Sequence, residues 1–243
     1  MINALSIIFP LFNEENRLPK LFKEIKKFLI KNKLNIEFIF IDDGSIDNSL
    51  ILIKKFKKEN IKKIDIKIIK YKKNRGKGYA LKQGVLIANK KWILTMDIDL
   101  SVSLKQINSW VKNRFIKNGN NIFFGSRLLK KSNIIAKKYR VFTGNIFNIL
   151  LRLMINDKFL NIKDTQCGFK LYKKSLAKII FKNIKENGYI HDVEILILIR
   201  KKKFRVYELP VNWIHKDGSK INIIKDSIKM LIDLFHLKLR YKL

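Results

Sequence analysis

The sequence predicts an α/β protein with a mostly parallel central sheet flanked by helices. Short apolar runs alternate with amphipathic segments from the N-terminus to about residue 127, and this alternation is typical of crossover units with parallel strands. Polar residues follow one apolar run after another, at the strand ends where such sheets bind ligands. The 243 residues suffice for one large domain with a real core. We therefore expect a single domain, 1–243, with a substrate-binding second half.

Five apolar runs in the first half have the length and boundaries of buried strands. They are Leu5–Phe9, Ile36–Ile41, Ile64–Ile69, the run that begins at Trp92, and Asn121–Phe124. The first strand is expected to leave the sheet at Pro10. Helical spacing of apolar residues is found in Arg17–Lys33, around Leu50, Ile53 and Phe56, in Gly78–Ala88, and at Leu104, Ile107, Val111 and Phe115. Ser45 or Asp47 is expected to cap the second helix, and Ser103 the fourth.

The second half is less regular. Its predicted elements are the helices Ser175–Ile184 and Val193–Arg200, the strand Phe204–Trp213 with Pro210 at a sheet edge, and a final helix, Ile223–Leu239, with Ile224, Ile228, Leu231 and Phe235 on one seam. Two further segments are a long, largely apolar one over Ile134–Ile155 and a polar-to-apolar loop over Asp164–Leu171.

The formal net charge is +33, from 53 Lys and Arg against 20 Asp and Glu. Such a field attracts polyanions, among them nucleotides, nucleic acid and anionic lipid. However, the lysines are spread along the whole chain, and the abundance of Lys, Ile and Asn is also what AT-rich codons produce. We therefore give equal weight to two explanations of the positive charge, codon composition and attraction to a polyanion. Among polyanions, a membrane surface is favoured over nucleic acid.

One cysteine, Cys167, excludes an internal disulfide and fits a reducing cytoplasm. The N-terminus lacks a basic region followed by a long apolar stretch, so no signal peptide is expected. No window of about 18 apolar residues predicts a membrane span.

Two acids, Asp97 and Asp99, end the apolar run that begins at Trp92. Carboxylates this close repel each other, and a divalent metal bridging a diphosphate would offset that repulsion, because Mg²⁺ and Mn²⁺ prefer hard oxygen ligands. An acidic turn that closes a strand would give the same pattern. From these residues alone the two interpretations have even weight.

Two loops after other strands offer groups for a nucleotide. Asp42 and Asp43 can accept hydrogen bonds from a base or a ribose, or they can form an Asx turn or a helix cap. The stretch Asn74–Gly78 opens a helix, so its backbone N–H groups, with Arg75 and Lys77, suit a phosphate; a flexible turn is equally consistent. It matches neither the P-loop nor the dinucleotide fingerprint.

Three further sequence features are candidates for the site. Arg127 follows a strand and can fork onto phosphate oxygens. The stretch Asp164–Lys170 concentrates small polar groups around Gly168, and its Cys167 is expected to pack rather than to attack a substrate. Asp192 lies at the start of a predicted helix. It can act as a base, it can accept a hydrogen bond from a sugar hydroxyl, or it is an acid that the helix dipole favours.

Taken together, these motifs resemble the inverting family-2 glycosyltransferases, which have the GT-A fold. The residues that carry the resemblance are Pro10 with Asn13–Glu15, Asp42–Ser45, Arg75–Gly78, Asp97–Asp99 and Gly125–Arg127. The second half resembles the dolichyl-phosphate β-glucosyltransferases, in Asp164–Lys170, Asp192–Glu194, Val211–Trp213, Gly218–Lys220 and Leu239–Tyr241. The resemblance extends from about Leu5 to Tyr241, and Ile98 departs from it, since the family usually has a small residue there.

The resemblance implies inverting transfer of glucose from UDP-glucose to a dolichyl-type polyprenyl phosphate, with 1–127 binding the nucleotide sugar and 128–243 the acceptor. Asp97 and Asp99 match the family's metal and nucleotide pair, which implies Mg²⁺ or Mn²⁺. The predicted nucleotide-sugar residues are Pro10, Glu14, Asp42, Asp43, Arg75, Lys77, Asp97 and Lys220, and the predicted catalytic residues are Asp99, Arg127 and Asp192. Asp192 need not act as a base, because a phosphate monoester with a pKa near 6 is already an anion.

A polyprenyl acceptor implies a peripheral enzyme on the inner, cytoplasmic face of a membrane. Ile134–Ile155 and Ile223–Leu239 are amphipathic and flanked by Lys and Arg, so they either lie in the membrane interface or cover the sheet. GDP-mannose or UDP-N-acetylglucosamine remain as alternative donors. A nucleic-acid-binding protein is less favoured, because it gives no reason for acids at strand ends. An inactive scaffold has only Ile98 in its support.

Overall fold

The computed structural model describes residues 2–113, 115–116, 122–135, 162–216 and 223–243, with the backbone alone for 223–228. Most of the predicted segment Ile134–Ile155, and Lys220, lie outside the described residues.

The described residues form strands and helices that alternate along the first half, as predicted. The strands are β1 (Ala4–Leu11), β2 (Asn35–Asp42), β3 (Asp65–Lys70), β4 (Trp92–Thr95), β5 (Ile122–Ser126), β6 (Asn133–Ile135), β7 (Lys170–Lys173), β8 (Tyr207–Pro210) and β9 (Asn212–Ile214). The helices are α1 (Leu18–Ile30), α2 (Ser49–Glu59), α3 (Lys77–Ile87), α4 (Gln106–Lys112), α5 (Lys174–Asn183), α6 (His191–Lys201) and α7 (Ile223–Tyr241).

The central sheet has the strand order β3-β2-β1-β4-β7-β5-β8 among the described residues. The pairs β1–β2, β2–β3, β1–β4 and β5–β8 are parallel, whereas β7 runs antiparallel to β4 and β5. The predicted α/β class with a mostly parallel sheet is therefore confirmed. The second half contributes β7 to the middle of the sheet, so both halves of the chain share it.

Apolar side chains cover both faces of this sheet. On one face, Phe9 stacks on Phe40 with 5.3 Å between ring centroids, and Phe22 of α1 stacks on Phe56 of α2 at 4.0 Å. On the other face, Gly84 lets α3 approach β1, because a Cβ there would lie 2.5 Å from a methyl of Ile8. α3 therefore packs directly against the sheet.

Several predicted details of the first half are wrong. β1 continues through Pro10 to Leu11; its pairing with β4 ends at Ile8, so Pro10 lies beyond that neighbour. Ser45 accepts a hydrogen bond from the Asn13 N–H at 2.9 Å rather than capping α2, whereas Asp47, the other predicted cap, accepts from the N–H of Ser49, the first residue of α2, at 2.9 Å. Val111 is exposed, because α4 turns that side to solvent.

The second half also differs from the prediction in two places. The strand predicted over Phe204–Trp213 is two strands, β8 at the edge of the main sheet and β9 paired with β6. Pro210 lies at a sheet edge, as expected. On α7, Phe235 is 52% exposed, and the buried residues among those described are Leu234 and Leu237. In the described part of the chain no helix combines the length and apolar character needed to cross a membrane.

Candidate active site

A cleft of about 480 Å³ lies where β1, β2, β4 and β5 end. Each strand end supplies lining residues, as expected for the carboxyl edge of a parallel sheet. Of the predicted site residues, the cleft is lined by Pro10, Glu14, Asp43, Lys77, Asp97, Asp99, Arg127 and Asp192. Asp42 and Arg75 are not among its lining residues. The topology thus brings eight predicted residues together from both halves of the chain.

Asp97 and Asp99 lie at the centre of this cleft, directly after β4. The Lys77 ammonium donates to Asp97 Oδ1 at 2.6 Å, and the Ser101 N–H donates to Asp99 Oδ1 at 2.8 Å. Burial lowers the pKa of Lys77, but the charges of Asp97 and Asp192 outweigh it and hold that pKa above its ordinary value. Lys77 is therefore a permanent cation beside the acid pair.

The second oxygens of the acid pair are available to a ligand. Among the described residues, neither Asp97 Oδ2 nor Asp99 Oδ2 accepts a hydrogen bond. No group of three or more His, Cys, Asp or Glu side chains that suits a metal is found in the described ranges. This donor set fits Mg²⁺ or Mn²⁺, which bind proteins through one or two carboxylates and take further oxygens from substrate phosphates and water.

Gly168, in the predicted Asp164–Lys170 stretch, lies against one of the two acids of the site. A Cβ at Gly168 would lie 2.5 Å from Asp97 Oδ2, closer than any side chain allows. The peptide of Gly168 therefore lies flush against the Asp97 carboxylate, and the Thr95 hydroxyl donates to the Gly168 carbonyl at 3.2 Å. Glycine is required here by the close approach of two chain segments.

Several backbone N–H groups of the glycine-rich loop bond to other parts of the chain, so fewer of them are available to a phosphate than the sequence suggested. Asp43 accepts from the N–H groups of Arg75 at 2.9 Å and Gly76 at 2.7 Å. The N–H groups of Gly78 and Tyr79 donate to the Asn187 carbonyl. Three N–H groups of the loop, and that of Tyr79 in α3, therefore already have partners.

The acids Asp42 and Asp43 have separate tasks. Asp42 accepts from the Ser45 N–H at 2.9 Å and so forms a turn. Burial raises the pKa of Asp43, and this effect outweighs the N–H donors of Arg75 and Gly76. The Arg75 guanidinium stacks on the Tyr79 ring at 3.7 Å. Of these two motifs, Asp43, Asn74, Gly76 and Lys77 line the cleft.

Arg127 is held by a buried carboxylate. Its backbone N–H, Nε and Nη2 donate to Asp164 at 2.9, 2.7 and 2.9 Å, and Asp164 is fully buried. Its guanidinium also lies 5.7 Å from the ring centroid of Trp213. Burial lowers the pKa of Arg127, but Asp164 outweighs this and raises it. The predicted phosphate ligand is therefore a fixed cation whose fork is half used by Asp164.

Asp192 forms a buried ion pair with Lys170, which sequence reasoning did not identify. The Lys170 ammonium donates to Asp192 Oδ1 and, at 3.1 Å, to the Thr165 carbonyl. Burial raises the pKa of Asp192, but His191, Lys170 and Lys77 together outweigh burial and lower it. Asp192 is therefore an anion with little basicity. Among the three roles that the sequence left open, this geometry favours orientation of a ligand over proton abstraction.

Cys167 packs, as predicted. It is buried, and burial raises the pKa of its thiol to about 12, so the thiol stays protonated and weakly nucleophilic at neutral pH.

The cleft also contains residues that the sequence did not single out: Arg17, Tyr189, His215, Lys229 and Asp233. Arg17 donates to both oxygens of Glu14 at 3.1 and 3.0 Å. Arg17 and Asp233 belong to predicted helical stretches. The sequence of these stretches shows only a helical period, which does not tell which polar position faces a ligand.

The chain matches the family described as "Glycosyl transferase family 2" over residues 6–181. It is 36% identical over 248 residues to the dolichyl-phosphate β-glucosyltransferase of Dictyostelium discoideum, covering 98% of this chain and 75% of that protein. The enzymes of the same name from Saccharomyces cerevisiae and Homo sapiens are 34% and 31% identical, again over 98% of this chain and 75% of theirs.

Among solved structures, the chain is similar to glucosyl-3-phosphoglycerate synthase of Mycobacterium tuberculosis in complex with Mn²⁺, UDP-glucose and phosphoglyceric acid. The TM-score is 0.71 at 14% identity, covering 99% of this chain and 80% of that one. The complex of the same enzyme with Mn²⁺, UDP and glucosyl-3-phosphoglycerate gives a TM-score of 0.69 at 14% identity, covering 98% of this chain and 80% of that one.

Proposed function

The chain belongs to glycosyltransferase family 2 and to its dolichyl-phosphate β-glucosyltransferases, and we propose that it transfers glucose from UDP-glucose to a dolichyl-type polyprenyl phosphate. It is a glycosyltransferase with the GT-A fold. The observation that carries the acceptor and the sugar is the 36% identity over 98% of the chain to an enzyme of that name. The cleft supports the chemistry independently, because its acids and cations suit a nucleotide diphosphate.

The nucleotide end of the cleft is assigned to residues of the first half. Pro10, Glu14 and Asp43 line that side, and Lys77 and Arg127 are the cations that would stabilise a departing diphosphate. Lys220, outside the described residues, remains a predicted phosphate ligand. UDP-glucose is preferred over GDP-mannose and UDP-N-acetylglucosamine because the named relatives are glucosyltransferases.

A divalent metal is proposed at the acid pair. The Oδ2 atoms of Asp97 and Asp99, which accept no hydrogen bond from the described residues, would hold Mg²⁺ or Mn²⁺, and the similar synthase structure contains Mn²⁺ with UDP-glucose. When bound, the ion supplies charge stabilisation for the diphosphate. Lys77 would orient the Asp97 carboxylate for this task through its hydrogen bond of 2.6 Å.

The acceptor phosphate is proposed to be its own nucleophile. A phosphate monoester with a pKa near 6 is an anion at neutral pH, so no protein base is required. Asp192, an anion held by Lys170, would orient the sugar or the acceptor through hydrogen bonds. Direct in-line displacement then inverts the α-linked donor to a β-linked product.

We place the enzyme at the cytoplasmic face of a membrane, where a polyprenyl acceptor stays. Ile232, Phe235 and Leu239 form an exposed apolar stripe on α7, each more than half exposed. Lys238 and Lys242 flank one side of it, and Lys229 flanks the other by helical geometry. Such a stripe suits the interface of an anionic membrane. Ile134–Ile155 stays a predicted second contact outside the described residues.

The test is a donor screen with the full chain. The protein is incubated with vesicles that contain dolichyl phosphate, with Mn²⁺ or Mg²⁺ and labelled UDP-glucose, and label is counted in the extracted lipid. Parallel reactions use GDP-mannose and UDP-N-acetylglucosamine, and controls omit the acceptor or the metal. Metal-dependent and acceptor-dependent glucolipid is expected. Lipid labelling from another donor alone would reassign the sugar, and no labelling from any donor would contradict the proposal.

A further inference from the structure

We propose that Arg240 and Tyr241, at the end of α7, are positioning residues that hold one wall of the cleft against Lys77. This wall, here called the 185–190 loop, connects α5 to α6 and contributes Gly188 and Tyr189 to the cleft. Neither Arg240 nor Tyr241 lines the cleft. Their effect on the site must therefore pass through other residues.

The first link is Glu194, a fully buried carboxylate of α6. Its Oε2 accepts from the backbone N–H groups of Lys185 at 2.9 Å and Glu186 at 2.7 Å. Its Oε1 accepts from the Tyr241 hydroxyl at 2.7 Å. A buried carboxylate is costly without such donors, so the loop and the end of α7 depend on the same side chain.

The second link is the charge of Arg240. Its Nη1 donates to Glu186 Oε1 at 2.5 Å and lies 3.8 Å from Glu194 Oε1. One guanidinium therefore balances two carboxylates, one on the loop and one beneath it. The last turn of α7 thus fastens the 185–190 loop from below.

The upper side of the loop contacts the start of α3. The Asn187 carbonyl accepts from the Gly78 N–H at 2.7 Å. A Cβ at Gly76 would lie 2.3 Å from that same carbonyl oxygen, and a Cβ at Gly78 would lie 2.5 Å from the Glu186 carbonyl oxygen. The two glycines thus let the loop lie directly on α3.

Lys77 lies between those two glycines, and its ammonium donates to Asp97 Oδ1 at 2.6 Å. A displaced loop would shift the start of α3 and therefore the Lys77 ammonium. The contacts consequently form one chain from Tyr241 through Glu194, the loop and Lys77 to the acid pair. The sequence motif Leu239–Tyr241 acquires a role by this route.

The first measurement does not depend on any enzymatic activity. Tyr241→Phe removes one hydroxyl, and we expect the amides of Lys185 and Glu186 to exchange with deuterium on the order of 10-fold faster. Tyr207→Phe, on the edge strand β8, is the matched control and should leave that exchange unchanged. Unchanged exchange in Tyr241→Phe would overturn the proposal.

The second measurement rests on the proposed function and uses a double-variant cycle. Tyr241→Phe should lower kcat/KM for glucose transfer about 5- to 10-fold in the wild-type background, and less than about 2-fold in Lys77→Met, because coupled residues are not additive. A merely structural role would lower both backgrounds by the same factor, and that result would overturn the proposal.

Arg240 has its own pair of variants. Arg240→Gln should reproduce the loss seen with Tyr241→Phe, whereas Lys242→Gln, which removes a charge from the same helix end, should not. Equal effects of the two would show that only net charge matters and would overturn the role of Arg240. If the wild-type chain transferred no sugar, the proposed function would fail, and the exchange measurement would still decide whether the end of α7 holds the loop.

Discussion

The acid pair and the buried ion pairs of the cleft both contain aspartates, but these aspartates differ in burial and in their partners. Asp97 and Asp99 are partly exposed, and each keeps one oxygen for a ligand. Asp164 and Asp192 are buried; Arg127 donates to both oxygens of Asp164, whereas Lys170 donates to Oδ1 of Asp192. An acid beside solvent can bind metal and substrate, whereas a buried acid fixes a cation. We propose a catalytic role for the first pair and an orienting role for the second.

The largest expected effect comes from breaking a buried pair. Lys170→Met leaves Asp192 charged and buried, and we expect the free energy of unfolding to fall by about 3–5 kcal/mol. Chemical denaturation followed by circular dichroism measures this. The double variant Lys170→Met/Asp192→Leu should recover much of the loss, since it leaves no unpaired charge. A double variant less stable than Lys170→Met would count against the assignment.

The acid pair should behave in the opposite way. Asp99→Asn should lower kcat about 100- to 1,000-fold, because it would weaken binding of the proposed metal ion, whose positive charge would support the departing diphosphate. Its unfolding midpoint should stay near that of the wild type. Asp65→Asn, a half-exposed acid at the start of β3, is the control for loss of one negative charge. Transfer at the wild-type rate by Asp99→Asn would rule out its role.

Gly168 connects the two regions, since its chain segment holds Asp97 in place. Gly168→Ala should displace the Asp97 carboxylate and lower kcat/KM by up to about 100-fold. Gly188→Ala is the matched control in the same cleft, because the nearest atom to a Cβ there is 3.9 Å away. Steady-state kinetics of both variants test this. Similar losses in the two would show that Gly168 has no special contact.

The smallest expected effect is a shift in the pH at which the protein unfolds in acid. Burial raises the pKa of Asp164, but Arg127 outweighs it and lowers the pKa below the ordinary 3.8. This stabilisation is therefore present above about pH 4 and is lost as the pH falls through the lowered folded-state pKa. In Arg127→Met that pKa rises, and the acid-unfolding midpoint should move to higher pH by less than about one unit. Circular dichroism between pH 7 and pH 2 measures the shift, and an unchanged midpoint would contradict this cause.

The difference between the regions also explains what could be predicted from sequence. Asp97 and Asp99 follow a short apolar run, so local pattern and parallel topology place them at the cleft. The partners Lys170 and Asp192 are 22 positions apart, and Tyr241 and Glu194 are 47 apart. No local period records such pairs, because they depend on how β7, α6 and α7 pack. For the same reason, the sequence could not show that N–H groups of the glycine-rich loop donate to Asp43 and Asn187 rather than to a phosphate.

The central claim is that an anionic lipid phosphate attacks the sugar directly, while the protein positions the reactants and stabilises the departing diphosphate. The most direct measurement is the anomeric configuration of the glucose in the purified lipid product, by proton NMR of material made from α-linked UDP-glucose. A single displacement in this cleft predicts a β-linked glucosyl phosphate. An α-linked product would require retention of configuration, and it would contradict the account.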